Sequence, residues 1–360
     1  MSEIIKKSYS KRIIIFISVL IGLGALWYIF DKIPIGQVIS IFKGVTILQI
    51  SFYIILQFVM FYTLTFRWKL ILRSQNIKDV DLFSLTNYKV VGYAVSFLTP
   101  TAKIGGEPVR AALLSNRHDI PFDKALSSVV IDKTLELTTS ASFFVIGALI
   151  LLMSFVVDPN LRYWIIGVSL FFIIVFGIFN YRMMSGKTFF LKLFNILGFN
   201  KIKKFKKFAK KLKNFERLVI KFYHKDKRFF FQAVLVSALS WILMFFEYSI
   251  AGSMLGQDLS PMQIFLIFSF VGAAYLIPIP MALGSLEASQ ISVFNILKIG
   301  SATGVAISLI IRLKDIIISV IGLLMLTVYG FKLKEVVKEA NRLDKQVEKL
   351  NIMKSKAKNQ

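Results

Sequence analysis

A chain of 360 residues has room for one or two soluble domains, but 56% of its residues are apolar, 35 are Phe, and the mean hydropathy is +0.68, which excludes an ordinary soluble enzyme. Lys and Arg number 45 against 20 Asp and Glu, a formal +25 that must face either nucleic acid or a phospholipid surface. Apolar runs of membrane length decide for lipid and set nucleic acid aside, and the absence of Cys removes disulfides and thiolate chemistry.

In chain order, residues 1–45 hold an N-terminal span at 13–30 and an external loop. Lys6, Lys7, Lys11 and Arg12 resemble the start of a signal peptide, yet no small-residue cleavage site follows, so this element reads as an uncleaved span. Residues 46–157 form a first repeat: a span at 46–66, a re-entrant hairpin whose first leg is 83–100, and a span at 125–157. The hairpin is inferred from Thr99-Pro100-Thr101 through Gly105-Gly106, because broken backbone at membrane depth must be satisfied by protein or by a wet cavity. Residues 158–228 comprise a linking span at 161–180 and a basic loop. Residues 229–330 form a second repeat with spans at 229–252 and 303–330; between them the stretch 261–280 runs into Pro278-Ile279-Pro280 and Gly284, again reading as a hairpin. An ordinary kinked span is the alternative at both places. The tail, 331–360, is basic and polar. The expected fold class is an all-α, polytopic integral membrane protein with six full spans and two re-entrant hairpins.

The charges orient this topology. With the N-terminus cytoplasmic, the segments assigned inside hold 33 Lys and Arg, while the external loops hold only Lys32, Lys43, Arg162 and Lys298. Both termini are then cytoplasmic, in a cell membrane. The loop 182–228 alone carries a net +14, and within it Ile202, Phe205, Phe208, Ala209, Leu212 and Phe215 recur at spacings of three and four among lysines. Such a cationic amphipathic helix suits an anionic leaflet, so the expected partners are membrane lipids, anionic ones in particular. In the tail, Val336, Ala340, Leu343, Val347 and Leu350 make a short heptad seam, which allows a homo-oligomer without assigning one.

Sliding the sequence by 180 residues without a gap aligns Val91-Gly92 with Val271-Gly272, Ala94 with Ala274, Pro100 with Pro280, Glu107 with Glu287 and Ser128 with Ser308. The shared types mark a bend, a break and an intramembrane charge in the same order. Three full spans separate the two hairpins, so the copies have opposite orientation, a pattern of transporters. Chance similarity between apolar segments is the plain alternative.

Ionisable residues inside a membrane are costly and mark candidate sites. The first hairpin carries Lys103, Gly105, Gly106, Glu107 and Arg110, with Pro108 suited to a first helical turn whose free N–H groups face an anion. Arg110, three residues beyond Glu107, either pairs with it or grips a phosphate. The next span carries Asp132, Lys133 and Glu136. The second copy contributes Pro280, Gly284 and Glu287, then Arg312, Lys314 and Asp315, while Glu247 stands as a lone acid in the fifth span. The repeat sets Asp132 opposite Arg312, so these two are expected to pair across the pseudo-two-fold axis; alternatively Arg312 or Lys314 snorkels to an interface. His118 and His224 read as solvated loop residues, and no metal or cofactor is expected. Gly186-Lys187-Thr188 lacks the first Gly of a phosphate-binding loop, position 181 being Tyr181, so ATP hydrolysis is not indicated.

Gly105-Gly106-Glu107-Pro108-x-Arg110, Pro121, the span 125–136, Pro278-x-Pro280, Leu283-Gly284-x-x-Glu287 and Arg67-Trp68 together resemble the flippase-like membrane domain of lysylphosphatidylglycerol synthases, whose stand-alone members form uncharacterised membrane protein family 0104. The resemblance covers roughly residues 10–330. It departs at Met281-Ala282, where the family usually has Gly-Gly. It implies a membrane fold that moves phospholipids or lipid-linked phosphate compounds between leaflets. The family's lysyl-transferring members carry a soluble catalytic domain after the membrane part, whereas this chain ends in about 30 polar residues, so lipid aminoacylation is not expected of it alone. Other classes left open are a small-solute or proton-coupled secondary transporter and a membrane-embedded transferase or its scaffold, although no donor motif supports a transferase.

Overall fold

The computed structural model describes residues 42–99, 105–197, 206–275 and 279–329, together with Gly36 and Ser40. The first span, Lys103, the start of the basic amphipathic segment (Ile202 and Phe205) and the heptad tail lie outside them. Eleven α-helices and no strand occur among the described residues: α1 (Ile47–Ser74), α2 (Leu82–Leu98), α3 (Glu107–His118), α4 (Phe122–Ser154), α5 (Pro159–Met184), α6 (Phe190–Ile196), α7 (Lys206–Ile220), α8 (Lys227–Met254), α9 (Pro261–Ala274), α10 (Ser285–Ile296) and α11 (Ser301–Val328). A π-helical stretch, Lys221–Lys225, joins α7 to α8.

The chain folds as an all-α membrane protein. Four helices, α1, α4, α5 and α8, are long and apolar enough to cross a membrane. α11 is as long as α1, at 28 residues, but carries Arg312, Lys314 and Asp315 in its middle. Outward faces such as Phe52, Ile55 and Phe58 of α1, Phe171 and Ile174 of α5, and Leu324 of α11 are exposed, an arrangement stable in hydrocarbon but not in water. Tyr163 and Trp164 are exposed at the start of α5, where amphipathic rings suit the interface.

Helices α1 to α4 and α8 to α11 repeat the same element order. Their starting residues are Ile47 and Lys227, Leu82 and Pro261, Glu107 and Ser285, Phe122 and Ser301, which keeps the offset within 178 to 180 residues. α1 packs along α8, and the two run antiparallel, since Arg67 meets Ser237 while Tyr53 meets Glu247. α2 packs on α11 of the other unit and α9 packs on α4, so each unit embraces the hairpin of its counterpart.

Both stretches read as hairpins are antiparallel helix pairs. In the first, the Gly106 N–H donates to Ser96 Oγ (2.8 Å) and Tyr88 at the far end meets His118. Gly106 leaves no space for a Cβ beside the Gly92 carbonyl, which explains the glycines at this crossing. In the second, Ser285 and Ser289 donate to the carbonyls of Ala274 and Phe270. The second legs, α3 and α10, have 12 residues each, about 18 Å at 1.5 Å per residue and well short of a ~30 Å hydrocarbon core.

Some sequence expectations change. α1 runs to Ser74 rather than ending near residue 66, because Arg67 and Trp68 are buried inside the protein instead of facing the cytoplasm. His118 is not a solvated loop residue: it ends α3 and bonds Tyr88 Oη at 3.1 Å. His224 is exposed, but its Nδ1 lies 2.6 Å from the Met184 carbonyl. The amphipathic helix exists as α7, although its C-terminal half docks on protein. Buried Glu216 there accepts the backbone N–H groups of Phe189, Phe190 (2.6 Å) and Leu191 (3.1 Å), which satisfies the orphan donors at the start of α6. Beneath it, Val219, Phe222 and Tyr223 pack with Ile71, Ile131 and Met183. At the turn before α2, hydrogen bonding from Ser84 holds the Asp81 carboxyl below its ordinary range. This cap therefore contributes fully above the ordinary carboxylate pKa and is lost as pH falls through the lowered one.

The crossing of α2 and α11 is tight: a Cβ on Gly322 would lie 2.6 Å from the Val90 carbonyl oxygen and 2.7 Å from Ala94 Cβ. Gly322→Val should therefore destabilise the protein by about 1–3 kcal/mol through overpacking. Gly177→Ala in α5, where nothing lies within 4 Å, should be neutral or stabilise slightly, by up to about 1 kcal/mol. Thermal unfolding midpoints in detergent compare the two; equal midpoints would refute the close crossing.

Candidate functional site

Asp132, about three turns into α4, has no solvent exposure. Its carboxylate collects cations from three other helices. Arg67 of α1 donates from Nε to Oδ1 (2.8 Å), Lys89 of α2 reaches Oδ2 (3.1 Å), and Arg110 of α3 donates to Oδ2 (2.9 Å). A buried carboxylate is tolerated only with such compensation. Arg67 also bonds Ser237 of α8 (3.1 Å) and the Asp132 carbonyl (3.3 Å), and lies 4.0 Å from Glu136. The spacing of four that sets Asp132 and Glu136 on one face is what lets one guanidinium approach both.

Local sequence places each partner. Gly106 caps α3 and Pro108 occupies its first turn, so Glu107 and Arg110 start a helix that points back from the hairpin tip. Arg110 lies over the Trp68 ring at 4.3 Å, and Trp68 itself is fixed by its Nε1–H bond to Ser128 Oγ (3.0 Å). Lys133 contacts Glu136 (2.8 Å) and, more distantly, Glu107 (3.8 Å). The Glu107–Arg110 pair, one of the two readings of their spacing, does not form, because Asp132 offers Arg110 a closer, fully desolvated carboxylate. Two atoms are left unpartnered and buried: Arg110 Nε and Glu107 Oε2. Among the described residues this cluster has four cations, Arg67, Lys89, Arg110 and Lys133, against three carboxylates, Glu107, Asp132 and Glu136. The surplus is positive and lies beside the hairpin tip.

The second unit repeats the positions with altered chemistry. Arg312 pairs with Glu287 through Nε (2.8 Å) and a second, shorter contact from the guanidinium, and it donates to the Met281 carbonyl (3.0 Å). Asp132 and Arg312 thus each find a partner in their own unit, and the expected pair across the pseudo-two-fold axis is absent. Glu287 Oε2 also accepts the Gly284 N–H (2.9 Å), capping α10. Of Pro280 only the backbone is described, in a short 3₁₀ turn with Met281 and Ala282. Those two residues adopt φ of 57° and 50°, a left-handed conformation that favours glycine. The departure from a glycine pair is therefore a strained one, held by Arg312 bonding to the turn.

Glu247 is not a lone acid: it accepts from Tyr53 (3.0 Å) and Lys314 (2.7 Å), which also shows that Lys314 does not snorkel. Asp315 accepts from Tyr93 of α2 (2.5 Å) and Tyr275 at the end of α9 (2.8 Å). Tyr93 thereby ties the first hairpin to the second unit's charges. The structure gathers Gly106, Glu107, Arg110, Asp132, Lys133 and Glu136 in one cluster beside Gly105. It gathers Gly284, Glu287 and Arg312 in a second, with Glu247 and Asp315 bridged by Lys314. Sequence reasoning missed Lys89, although it is a lone basic residue in an apolar stretch, the signal that singled out Glu247; it also missed the structural weight of Arg67, which stands close to Lys69 and Arg73 and so reads as part of a basic span end.

The family described as lysylphosphatidylglycerol synthase TM region matches residues 15–322. The chain is similar to a UPF0104 membrane protein of Methanothermobacter thermautotrophicus, 24% identical over 342 residues, covering 89% of this chain and 96% of that protein. A second UPF0104 membrane protein, from Methanocaldococcus jannaschii, is 29% identical over 180 residues, 48% of this chain and 51% of that one. No solved structure matches.

Two outcomes test the ion-pair assignment. Asp132→Asn leaves three buried cations facing a neutral amide and should cost about 3–5 kcal/mol, read as a lowered unfolding midpoint in detergent; an unchanged midpoint would contradict the assignment. In double-mutant cycles on stability, Glu287→Gln with Arg312→Gln should couple by about 0.5–3 kcal/mol, whereas Asp132→Asn with Arg312→Gln should be additive within about 0.5 kcal/mol. Separately, Ala282→Gly should relieve backbone strain and stabilise by up to about 1 kcal/mol; a loss of stability would argue against the left-handed turn.

Proposed function

Because the chain belongs to the family of lysylphosphatidylglycerol synthase transmembrane regions, we propose that it is a lipid translocase, carrying the phosphate-bearing head group of a phospholipid or lipid-linked compound between the leaflets of a cell membrane. One observation carries this reading: Arg110 is buried in the first turn of the first hairpin's second leg with its Nε–H unpartnered, in a cluster with one more cation than carboxylates. A buried guanidinium with a free N–H has an unsatisfied preference for an anionic oxygen, and phosphate supplies several. Asp132 and Trp68 hold the guanidinium in place so that this donor is fixed rather than mobile.

The paired units supply a means of exposure to both sides. α1 and α8 run antiparallel, and each hairpin packs on the long helix of the opposite unit. Rocking of one unit against the other alternates access to a site between them, as in inverted-repeat carriers. The tyrosine bridge from Tyr93 to Asp315 lies across that seam and must adjust in any such motion. In this reading Glu107, Glu136, Lys133 and Arg110 line the polar path of the first unit, and Arg312, Glu287 and Asp315 that of the second. With the N-terminus and the basic collar on the cytoplasmic side, the Asp132 cluster lies nearer the cytoplasm and Glu247 nearer the exterior.

Reconstitution in liposomes with head-group-labelled anionic and zwitterionic lipids tests the proposal. The wild type should speed leaflet exchange over protein-free vesicles. Arg110→Lys keeps the charge facing Asp132 but has no Nε–H at that position. It should fold yet slow exchange by about 10- to 100-fold, the equivalent of one charge-assisted hydrogen bond. Equal exchange with and without protein across lipid classes would overturn the reading.

A further inference from the structure

A second basic site lies away from the buried cluster, where α1 and α8 leave the membrane at the end carrying α7. A pocket of about 480 Å³ opens between them, within the size range of small-ligand sites. Its polar rim is Arg73 of α1, Lys78 of the following turn and Arg228 of the first turn of α8; Phe66, Leu70 and Phe229 form its wall. Arg73, Lys78 and Arg228 are exposed, and their side chains make no hydrogen bond or ion pair with any described residue. Nearby Asp226 is engaged by Lys221 (3.7 Å), so no carboxylate in the rim neutralises them. Three unpaired cations kept this close repel one another, and an anion relieves that repulsion.

The wall identifies which anion. Phe66 lies on the same face of α1 as Tyr62, one turn toward the membrane interior, and both are exposed. On α8, Leu235 and Leu239 continue the line from Arg228 and Gln232, again exposed. Because α1 and α8 are antiparallel, with Arg67 at the level of Ser237, these two apolar stripes descend side by side from a cationic mouth. That is the shape of an anionic phospholipid: a phosphate at the rim and acyl chains along the stripes. Water-soluble phosphates would gain nothing from the stripes.

We propose that the Arg73, Lys78 and Arg228 pocket is a binding site for the phosphate head group of an anionic membrane phospholipid, separate from the buried Arg110 cluster. Its cationic rim is between one and two helical turns from that cluster along α1, since Arg73 follows Arg67 by six residues. The site stands whether or not the chain transports lipid, so its failure and the failure of the translocase reading are separable.

The experiment is native mass spectrometry of the full chain in detergent, titrated with phosphatidylglycerol and phosphatidylcholine of the same acyl composition. The wild type should retain phosphatidylglycerol preferentially. The variant Arg73→Ala, Lys78→Ala, Arg228→Ala should lose that preference by on the order of 100-fold, about fivefold for each basic group near a lipid phosphate. Lys213→Ala with Arg217→Ala, on the exposed face of α7, should keep it. An unchanged preference in the triple variant overturns the site, and so does competition by free glycerol 3-phosphate as effective as phosphatidylglycerol. If the triple variant does not fold, Phe66→Trp decides. Its fluorescence should be quenched more by phosphatidylglycerol brominated on its acyl chains than by the equivalent phosphatidylcholine, and equal quenching counts against the pocket.

Discussion

A single carboxylate with no access to solvent, Asp132, organises the first half of this protein. Arg67, Lys89 and Arg110 approach it from α1, α2 and α3, so one buried anion ties four helices together. The desolvation of so many charges is costly, and the cost is met only when all the partners are present in good geometry. This makes the cluster a poor source of stability but a strong specifier of arrangement. The hairpin tip cannot take another register without leaving a cation in hydrocarbon.

The two units share a frame and differ in chemistry. Arg67 and Glu247 stand 180 residues apart and both engage the long helix of their own unit, one as base to Asp132 and the other as acid to Lys314. Glu287 is fully occupied by Arg312 and the Gly284 N–H, whereas the equivalent Glu107 keeps an oxygen unpartnered. The closed pair braces a turn whose Met281 and Ala282 adopt a glycine-like conformation. The open one leaves hydrogen-bonding capacity for a ligand. Pseudo-symmetry therefore supplies opposed frames, and the broken symmetry of charge separates a site from a brace.

The large positive charge of the chain has a different role from the charges inside the membrane. More than half of it lies in residues 182–228, where α7 and the π-helical stretch after it dock through Glu216, Val219 and the Phe222–Tyr223 pair onto the ends of the spans. Tyr223 Oη lies 3.0 Å from Thr134, the neighbour of Lys133, so the collar and the buried cluster are in physical contact. A strongly basic surface is thus attached to the helix that carries Asp132.

Much of this was legible from sequence. Membrane length and hydropathy mark the spans, the offset of 180 marks the repeat, and Gly106, Pro108 and Gly284 mark the bends, because each follows from a local rule of backbone or hydrophobic patterning. The intramembrane charges were also visible, since an ionised group in an apolar run stands out by composition alone. Their partners were not. Helical spacing offered Glu107 to Arg110, and the repeat offered Asp132 to Arg312, but the packed structure gave Arg110 to Asp132 and Arg312 to Glu287. Lys89 and Arg67 read as incidental until four helices closed on one carboxylate. Sequence determines which groups must be compensated, because burial follows from pattern. Which group compensates which depends on distances of about 3 Å between helices far apart in the chain, and only the tertiary structure sets those.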